Sequence, residues 1–195
     1  MEECPVRIDT SKPHPARVYD WLLGGKDNYP VDQQVGAALP EQSRRSAARN
    51  REFMHRAAAW LAARGVDQFL DIARARLDFD RPVALSLIAL MHFLPDTENP
   101  YALTRTLLSA LPSGSYLVLS HGTADQHPEL KQQVEDAYQR GSIPLRMRTR
   151  AEVEPFFAGL ELVHPGLVFA TEWYQEEPAP TQERSGFYAG VGRVP

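Results

Sequence analysis

Short apolar runs alternate along the chain with segments whose apolar residues recur at helical spacing. The run 83–90 is almost continuously apolar, which predicts a strand buried on both faces, and the segment 66–72 predicts a shorter strand before it. The segments SYLVLSH, LELVHPGLVFATEW and SGFYAGVGRV predict three more strands. The pattern therefore indicates a sheet of about five strands.

Apolar residues three and four positions apart predict helices around these strands. The first predicted helix ends before Gly24-Gly25, and two others cover 46–64 and 128–140. Another begins at Asp96 or Thr97 and ends near Leu111. A last, short helix begins after Thr149, and we expect Pro155 to bend or shorten it. Strand–helix alternation through the middle of the chain is typical of a parallel sheet with helices on both faces, whereas the last two strands lack a helix between them. We predict an α/β, doubly wound, mostly parallel sheet with an antiparallel edge.

A length of 195 residues is enough for one domain with a sizeable core. Residues 1–15 contain three prolines and no periodicity, so we expect a flexible N-terminal arm followed by a single domain over 16–195. The apolar run near 83–91 is far shorter than the roughly 20 residues that a membrane span needs. The N-terminus lacks the apolar core of a secretory signal, and we expect a cytoplasmic protein.

Charge and residue spacing exclude several function classes. The net charge of −4 gives no reason to expect nucleic acid or an anionic membrane as a partner. Cys4 is the single cysteine, which excludes an internal disulfide and fits a reducing compartment. The histidines show no metal-ligand spacing, and no serine lies in a G-x-S-x-G elbow, so we expect neither a metal nor a hydrolase site.

A series of segments resembles a bacterial family of S-adenosylmethionine-dependent methyltransferases. The series runs from ARVYDWLLGGKDNY through GVDQFLDI, DRPVALSLIALMHFLPD and GSYLVLSH to GLELVHPGLV and YAGVGR, and it covers nearly the whole chain in order. The resemblance implies a class I methyltransferase-like sheet, S-adenosylmethionine as cofactor and a small methyl acceptor of unknown identity. Such an enzyme acts mainly by orienting the methyl donor against its acceptor, and no residue is nominated as a catalytic base.

The resemblance also implies a set of cofactor-binding residues. They are Tyr19, Asp20, Leu23, Gly24, Gly25, Lys26, Asp27, Asn28, Tyr29, Asp71, His92 and Phe93. Physically, the glycine pair permits a sharp turn, and the polar residues after it offer hydrogen-bond donors to a carboxylate or hydroxyl. The simpler alternative for this segment is a capped helix followed by a polar turn.

The later candidates have structural alternatives as well. Asp71 follows a predicted strand, where open α/β sheets contact their ligands, but it could equally be a solvated strand end or pair with Arg74 or Arg76. His92 and Phe93 follow the next strand, and a hydrogen-bonded structural role is the commoner one for such a histidine. His121, after the third strand, is open to the same two interpretations.

One departure from the resembling family concerns the segment after Ile72. In that family the next elements are a glycine-containing loop, a helix, a second strand that ends in an acidic residue, another helix and a third strand. Here the chain runs directly into ARARLDFDRP. A glycine turn and an acidic strand end are the features that hold the adenosine part of such cofactors. The sequence thus predicts an internal deletion at 72/73 and a truncated sheet.

Two hypotheses follow from this departure. The chain is either a methyltransferase acting on an unknown acceptor or a shortened, non-catalytic relative that serves as a binding or regulatory module or has no role. In both cases the first strand has lost its outer neighbours, so we also expect an exposed sheet edge that favours a homo-oligomer or leaves the fold marginally stable.

Overall fold

The computed structural model describes residues 9–66, 69–70, 80–174 and 185–195. The helices are α1 (Pro15–Leu22), α2 (Pro30–Ala37), α3 (Glu41–Ala62), α4 (Pro100–Ser109), α5 (Lys131–Arg140) and α6 (Arg150–Val153). The strands are β1 (Phe69–Leu70), β2 (Ala84–Ile88), β3 (Tyr116–Gly122), β4 (Glu161–Leu162), β5 (Val168–Phe169) and β6 (Phe187–Arg193). Asp71, the predicted 72/73 junction and most of the predicted arm lie outside the described residues.

The strands form one mixed sheet in the order β1-β2-β3-β6-β4, with β5 also paired to β6. β1 is parallel to β2 and β2 to β3, with Phe69 opposite Ala84 and Leu85 opposite Leu117. β6 runs antiparallel to β3, β4 and β5. The predicted α/β class is confirmed, including the antiparallel final part of the sheet.

The two faces of β2 and β3 bury different cores, because successive side chains of a strand point to opposite faces. One core joins Leu85, Leu87, Leu117 and Leu119 to apolar residues of α4 and α6. The other joins Ala84, Tyr116 and Val118 to Phe53, Ala57 and Leu61 of α3. The predicted placement of helices on both faces is therefore confirmed.

The main differences from the predicted elements lie where apolar periodicity is weak. The sequence pattern did not predict α2, which begins at Pro30 and contains Gly36. That glycine is needed because a Cβ at this position would overlap the indole ring of Trp21 on α1. The predicted strand over LELVHPGLVFATEW is divided into β4 and β5, since the positive φ of Gly166 belongs to a turn between them.

Two helix boundaries also differ. α3 begins at Glu41 rather than near residue 46. α4 begins at Pro100, because Asn99 takes a left-handed conformation and its side chain accepts a hydrogen bond from the Ala102 amide. Asp96 lies in a separate 3-10 turn (Asp96–Glu98). The predicted bend near Pro155 is confirmed, since α6 gives way there to a 3-10 turn (Glu154–Phe157).

Candidate functional site

A cavity of about 510 Å³ lies at the carboxyl ends of β2 and β3. Its walls come from the first half of α3, from α5, from the turn after β2 and from the chain that enters β6. Ligands of open α/β sheets bind outside the carboxyl ends of the parallel strands. The cavity is therefore the candidate ligand site.

The turn after β2 brings two predicted residues to this cavity. Ala89 takes a left-handed conformation (φ 52°), and its amide donates to both the carbonyl and the hydroxyl oxygen of Ser120 on β3. The chain then folds into a 3-10 turn (Met91–Phe93). As a result both His92 and Phe93 line the cavity.

Four neighbouring aromatic rings form a continuous wall of the cavity. The ring centroid of His92 lies 5.8 Å from that of Phe187 and 4.3 Å from that of Phe93. The ring of Phe93 in turn lies 5.7 Å from that of Tyr138 on α5. We call these four residues the aromatic wall; such a surface favours contact with a flat apolar molecule.

His92 is held as a neutral ring. Burial, and then the nearby His121 and Arg148, lower its pKa well below the usual histidine value. Its Nδ1 accepts a hydrogen bond from the Gly122 amide at 3.3 Å, so the ring proton lies on Nε2. That Nε2–H group has no partner among the residues that the structure describes, which makes it an available donor on the cavity wall.

Two hydroxyl groups at the cavity also lack partners in the described part of the chain. The Ser185 hydroxyl is buried and makes no hydrogen bond, although Ser185 lines the cavity. Tyr138 is 7% exposed, and burial raises the pKa of its hydroxyl. Sequence patterns missed both residues: Tyr138 lies in the helix predicted over 128–140 without any motif around it, and Ser185 carries no motif.

His121, the weaker sequence candidate, has a structural role. Its Nε2 accepts from the guanidinium of Arg148 at 2.9 Å, and its Nδ1 hydrogen-bonds the carbonyl of Gly122 at 2.9 Å. The pKa of His121 is lowered to about 4, mainly because the ring is buried. Arg148 also donates to the Met91 and Leu94 carbonyls, so the pair fixes the turn that carries His92.

The predicted N-terminal residues divide between the cavity and the surface. Tyr19 lines the cavity, where its hydroxyl donates to the Ala47 carbonyl and accepts from the Asn50 side chain, both at 3.0 Å. Asp20, Leu23, Gly24 and Gly25 line a separate surface depression beside Arg51. Lys26, Asp27 and Tyr29 are exposed, and Asn28 is half-buried.

Asp20 closes the polar turn of this segment. Its carboxylate accepts from the Asp27 amide at 2.9 Å and from the Asn28 side chain at 2.8 Å. Gly25 packs directly on the Asp20 carboxylate, and a Cβ at Gly25 would overlap it. Thus Tyr19, His92 and Phe93 meet at the cavity, and the rest of the segment forms a capped turn outside it.

The family assignment comes from comparison with known sequences. A family model described as S-adenosyl methyltransferase matches residues 1–75 and 73–195. The chain belongs to the S-adenosyl methyltransferase family. The family match is made in two stretches that meet at 73–75, next to the predicted junction. No curated protein matches the chain.

Two solved structures share the fold of this family member. A DUF574 family protein from Streptomyces avermitilis is 32% identical, with a TM-score of 0.87 over 97% of this chain and 100% of its own. A proposed methyltransferase from Thermobifida fusca is 25% identical, with a TM-score of 0.85 over 100% of this chain and 99% of its own. Both alignments cover nearly the whole of this chain and of the compared chain.

The family implies an S-adenosylmethionine-type cofactor, and the residues at the cavity fit it poorly. Glu52, the only carboxylate among the described lining residues, is exposed on α3 and paired with Arg49, so it does not offer the strand-end acid that binds ribose hydroxyls. The sequence between β1 and β2 contains no glycine, so the backbone turn that approaches such a cofactor has no glycine to form it.

Two further observations concern the part of the chain that the structure describes. It contains no helix long and apolar enough to cross a membrane. It also contains no group of three or more histidine, cysteine, aspartate or glutamate side chains placed to hold a metal ion.

Proposed function

We propose that this methyltransferase-family chain is an internally shortened member that binds a small molecule in the cavity and has lost methyl transfer. The observation that carries the proposal is the direct parallel pairing of β1 with β2. The connecting residues 71–83 contain no glycine and are too few for the helices and strands that the family places there. The two-part family match, which meets at 73–75, supports a deletion at this point.

The remaining part of the site supports ligand binding. The cavity of about 510 Å³ is within the range of small-molecule sites, and it combines an apolar lining with a few polar groups. We propose that residues 16–195 form one domain, which follows an N-terminal arm of residues 1–15. We also propose that the protein acts in the cytoplasm. Asp71 stays a proposed contact at the edge of this site.

Methyl transfer itself is the second candidate function. Family membership favours it, and so does the position of Tyr19, His92 and Phe93 at one cavity. In that case Asp71 and the segment from Asp20 to Tyr29 would bind the cofactor, and the cavity would receive the methyl acceptor.

Photocrosslinking separates the two candidates. The full chain is irradiated with methyl-tritiated S-adenosylmethionine, with and without excess unlabelled S-adenosylhomocysteine. We expect no incorporation above that of the heat-denatured chain, because the sequence between β1 and β2 has no glycine to form an adenosine-binding turn. Labelling that S-adenosylhomocysteine suppresses would contradict the proposal and favour the methyltransferase.

A further inference from the structure

We infer that the cavity takes a flat, uncharged aromatic molecule that carries oxygen functions, of the phenol or aryl ketone class. The inference rests on the proposed function, which assigns ligand binding to this cavity. It depends on a juxtaposition: the aromatic wall stands beside three polar groups that have no partner within the described residues. These groups are the Nε2–H of His92, the hydroxyl of Tyr138 and the hydroxyl of Ser185.

The shape requirement follows from the aromatic wall. The wall consists, in order, of the rings of Phe187, His92, Phe93 and Tyr138. The centroids of successive rings are 5.8, 4.3 and 5.7 Å apart. Leu130 and Val134 add aliphatic surface to the lining. Aromatic faces and edges interact best with another ring, so a flat aromatic ligand gains more here than a saturated one of equal size.

The oxygen requirement follows from the unpartnered groups. The Nε2–H of neutral His92 can only donate, so its partner must be an acceptor such as a carbonyl or phenolic oxygen. The Ser185 and Tyr138 hydroxyls can donate or accept, and Ser185 is only 1% exposed. A buried hydroxyl without a partner is costly, and a ligand oxygen at this place would satisfy it.

The charge requirement follows from where the ionised residues lie. His92 is neutral because burial depresses its pKa. Among the described lining residues, the fully buried ones carry no formal charge. The charged lining residues are exposed or half-buried: Arg45 and Arg49 are paired with Glu41 and Glu52, and Lys131 lies on α5. The fully buried groups beside the aromatic wall are neutral, and burying an ionised ring substituent against neutral groups is costly, which favours an uncharged ligand.

The test uses three two-ring probes of similar size on the full chain: 2-naphthol, naphthalene and 2-decalol. Binding is followed by titration calorimetry, with competition against 2-naphthol fluorescence for the poorly soluble naphthalene. We expect saturable binding of 2-naphthol. Naphthalene lacks the oxygen and 2-decalol lacks the flat ring, so each should bind roughly tenfold more weakly.

Two variants locate the binding. Ser185→Ala and Tyr138→Phe should each weaken 2-naphthol binding by roughly fivefold. Ser185→Ala should leave the thermal midpoint unchanged or raise it, because it removes a buried hydroxyl that has no partner. Ser109→Ala, on the exposed end of α4, is the matched control and should change neither quantity.

Equal affinity for 2-naphthol and naphthalene, or no saturable binding of any probe to the folded chain, would overturn the inference. Unchanged 2-naphthol affinity in both cavity variants would do the same. These outcomes leave the crosslinking result untouched, so failure of the ligand class is distinguishable from the discovery of methyl transfer.

Discussion

The Arg148 guanidinium donates to Nε2 of His121 at 2.9 Å inside the protein, where Arg148 is only 1% exposed. The same guanidinium reaches the Met91 and Leu94 carbonyls and the Asp96 carboxylate. These bonds span β3, the turn after β2 and the chain before α6. The pair therefore holds the cavity wall that carries His92 and keeps His121 in its neutral form.

Removal of the guanidinium should destabilise the fold strongly. Arg148→Met leaves the Met91 and Leu94 carbonyls without their donor, and we expect a loss of about 3 kcal/mol in the free energy of unfolding. Urea denaturation measures it. Arg193→Met is the matched control, because Arg193 pairs with Glu161 at the surface, and it should cost less than about 1 kcal/mol. Equal losses in the two variants would contradict the proposed role of Arg148.

The fold should lose stability in mild acid. Burial lowers the pKa of His121 to about 4 from an unfolded value near 6.5, so the unfolded chain binds a proton that the folded chain does not. The contribution of His121 to the free energy of unfolding is fully present above pH 6.5. It falls as the pH drops toward 4, by about 3 kcal/mol in all. Buried His92 acts in the same direction.

Urea titrations at pH 7 and pH 5 test this dependence, and His121→Gln supplies the comparison. The variant should be less stable at pH 7 but should lose less stability between the two pH values. The carboxyl groups of Asp96 and Glu152, whose pKa values are lowered by Arg148 and Thr149 respectively, contribute mainly at lower pH. An identical loss in both proteins would show that His121 does not cause the dependence.

Asp20 should matter for stability rather than for ligand binding. Asp20→Ala removes the acceptor of the Asp27 amide and the Asn28 side chain, and we expect a loss of about 1–2 kcal/mol. Binding of 2-naphthol to the folded variant should be unchanged, because Asp20 does not line the cavity. Unchanged stability, or weaker 2-naphthol binding, would contradict a structural role for the turn.

The sheet edge formed by β1 should promote self-association. Within the described sheet β1 pairs with β2 alone, so no described strand covers its other side. We expect light scattering after gel filtration to give a mass that rises with protein concentration from the 21.9 kDa of the monomer. A constant monomer mass at high concentration would argue against pairing through this edge.

The strands and the long helices were predictable because their apolar residues repeat at clear periods. The helix α2 was not predictable, because it contains Gly36, a residue that disfavours helices. Gly36 is there because Trp21 packs against it, and such a tertiary contact leaves no local sequence pattern. The cavity position of His92 and Phe93 followed from their place after a strand. Tyr138, Ser185 and Arg148 became evident only in three dimensions, because their importance depends on burial and on missing or distant partners.

Calorimetric titration of the full chain with S-adenosylmethionine is the most direct test of the proposed loss of the cofactor site. We predict no saturable heat up to millimolar cofactor, and weak or no heat also for S-adenosylhomocysteine. Saturable micromolar binding of S-adenosylmethionine to the unaltered chain would contradict the account.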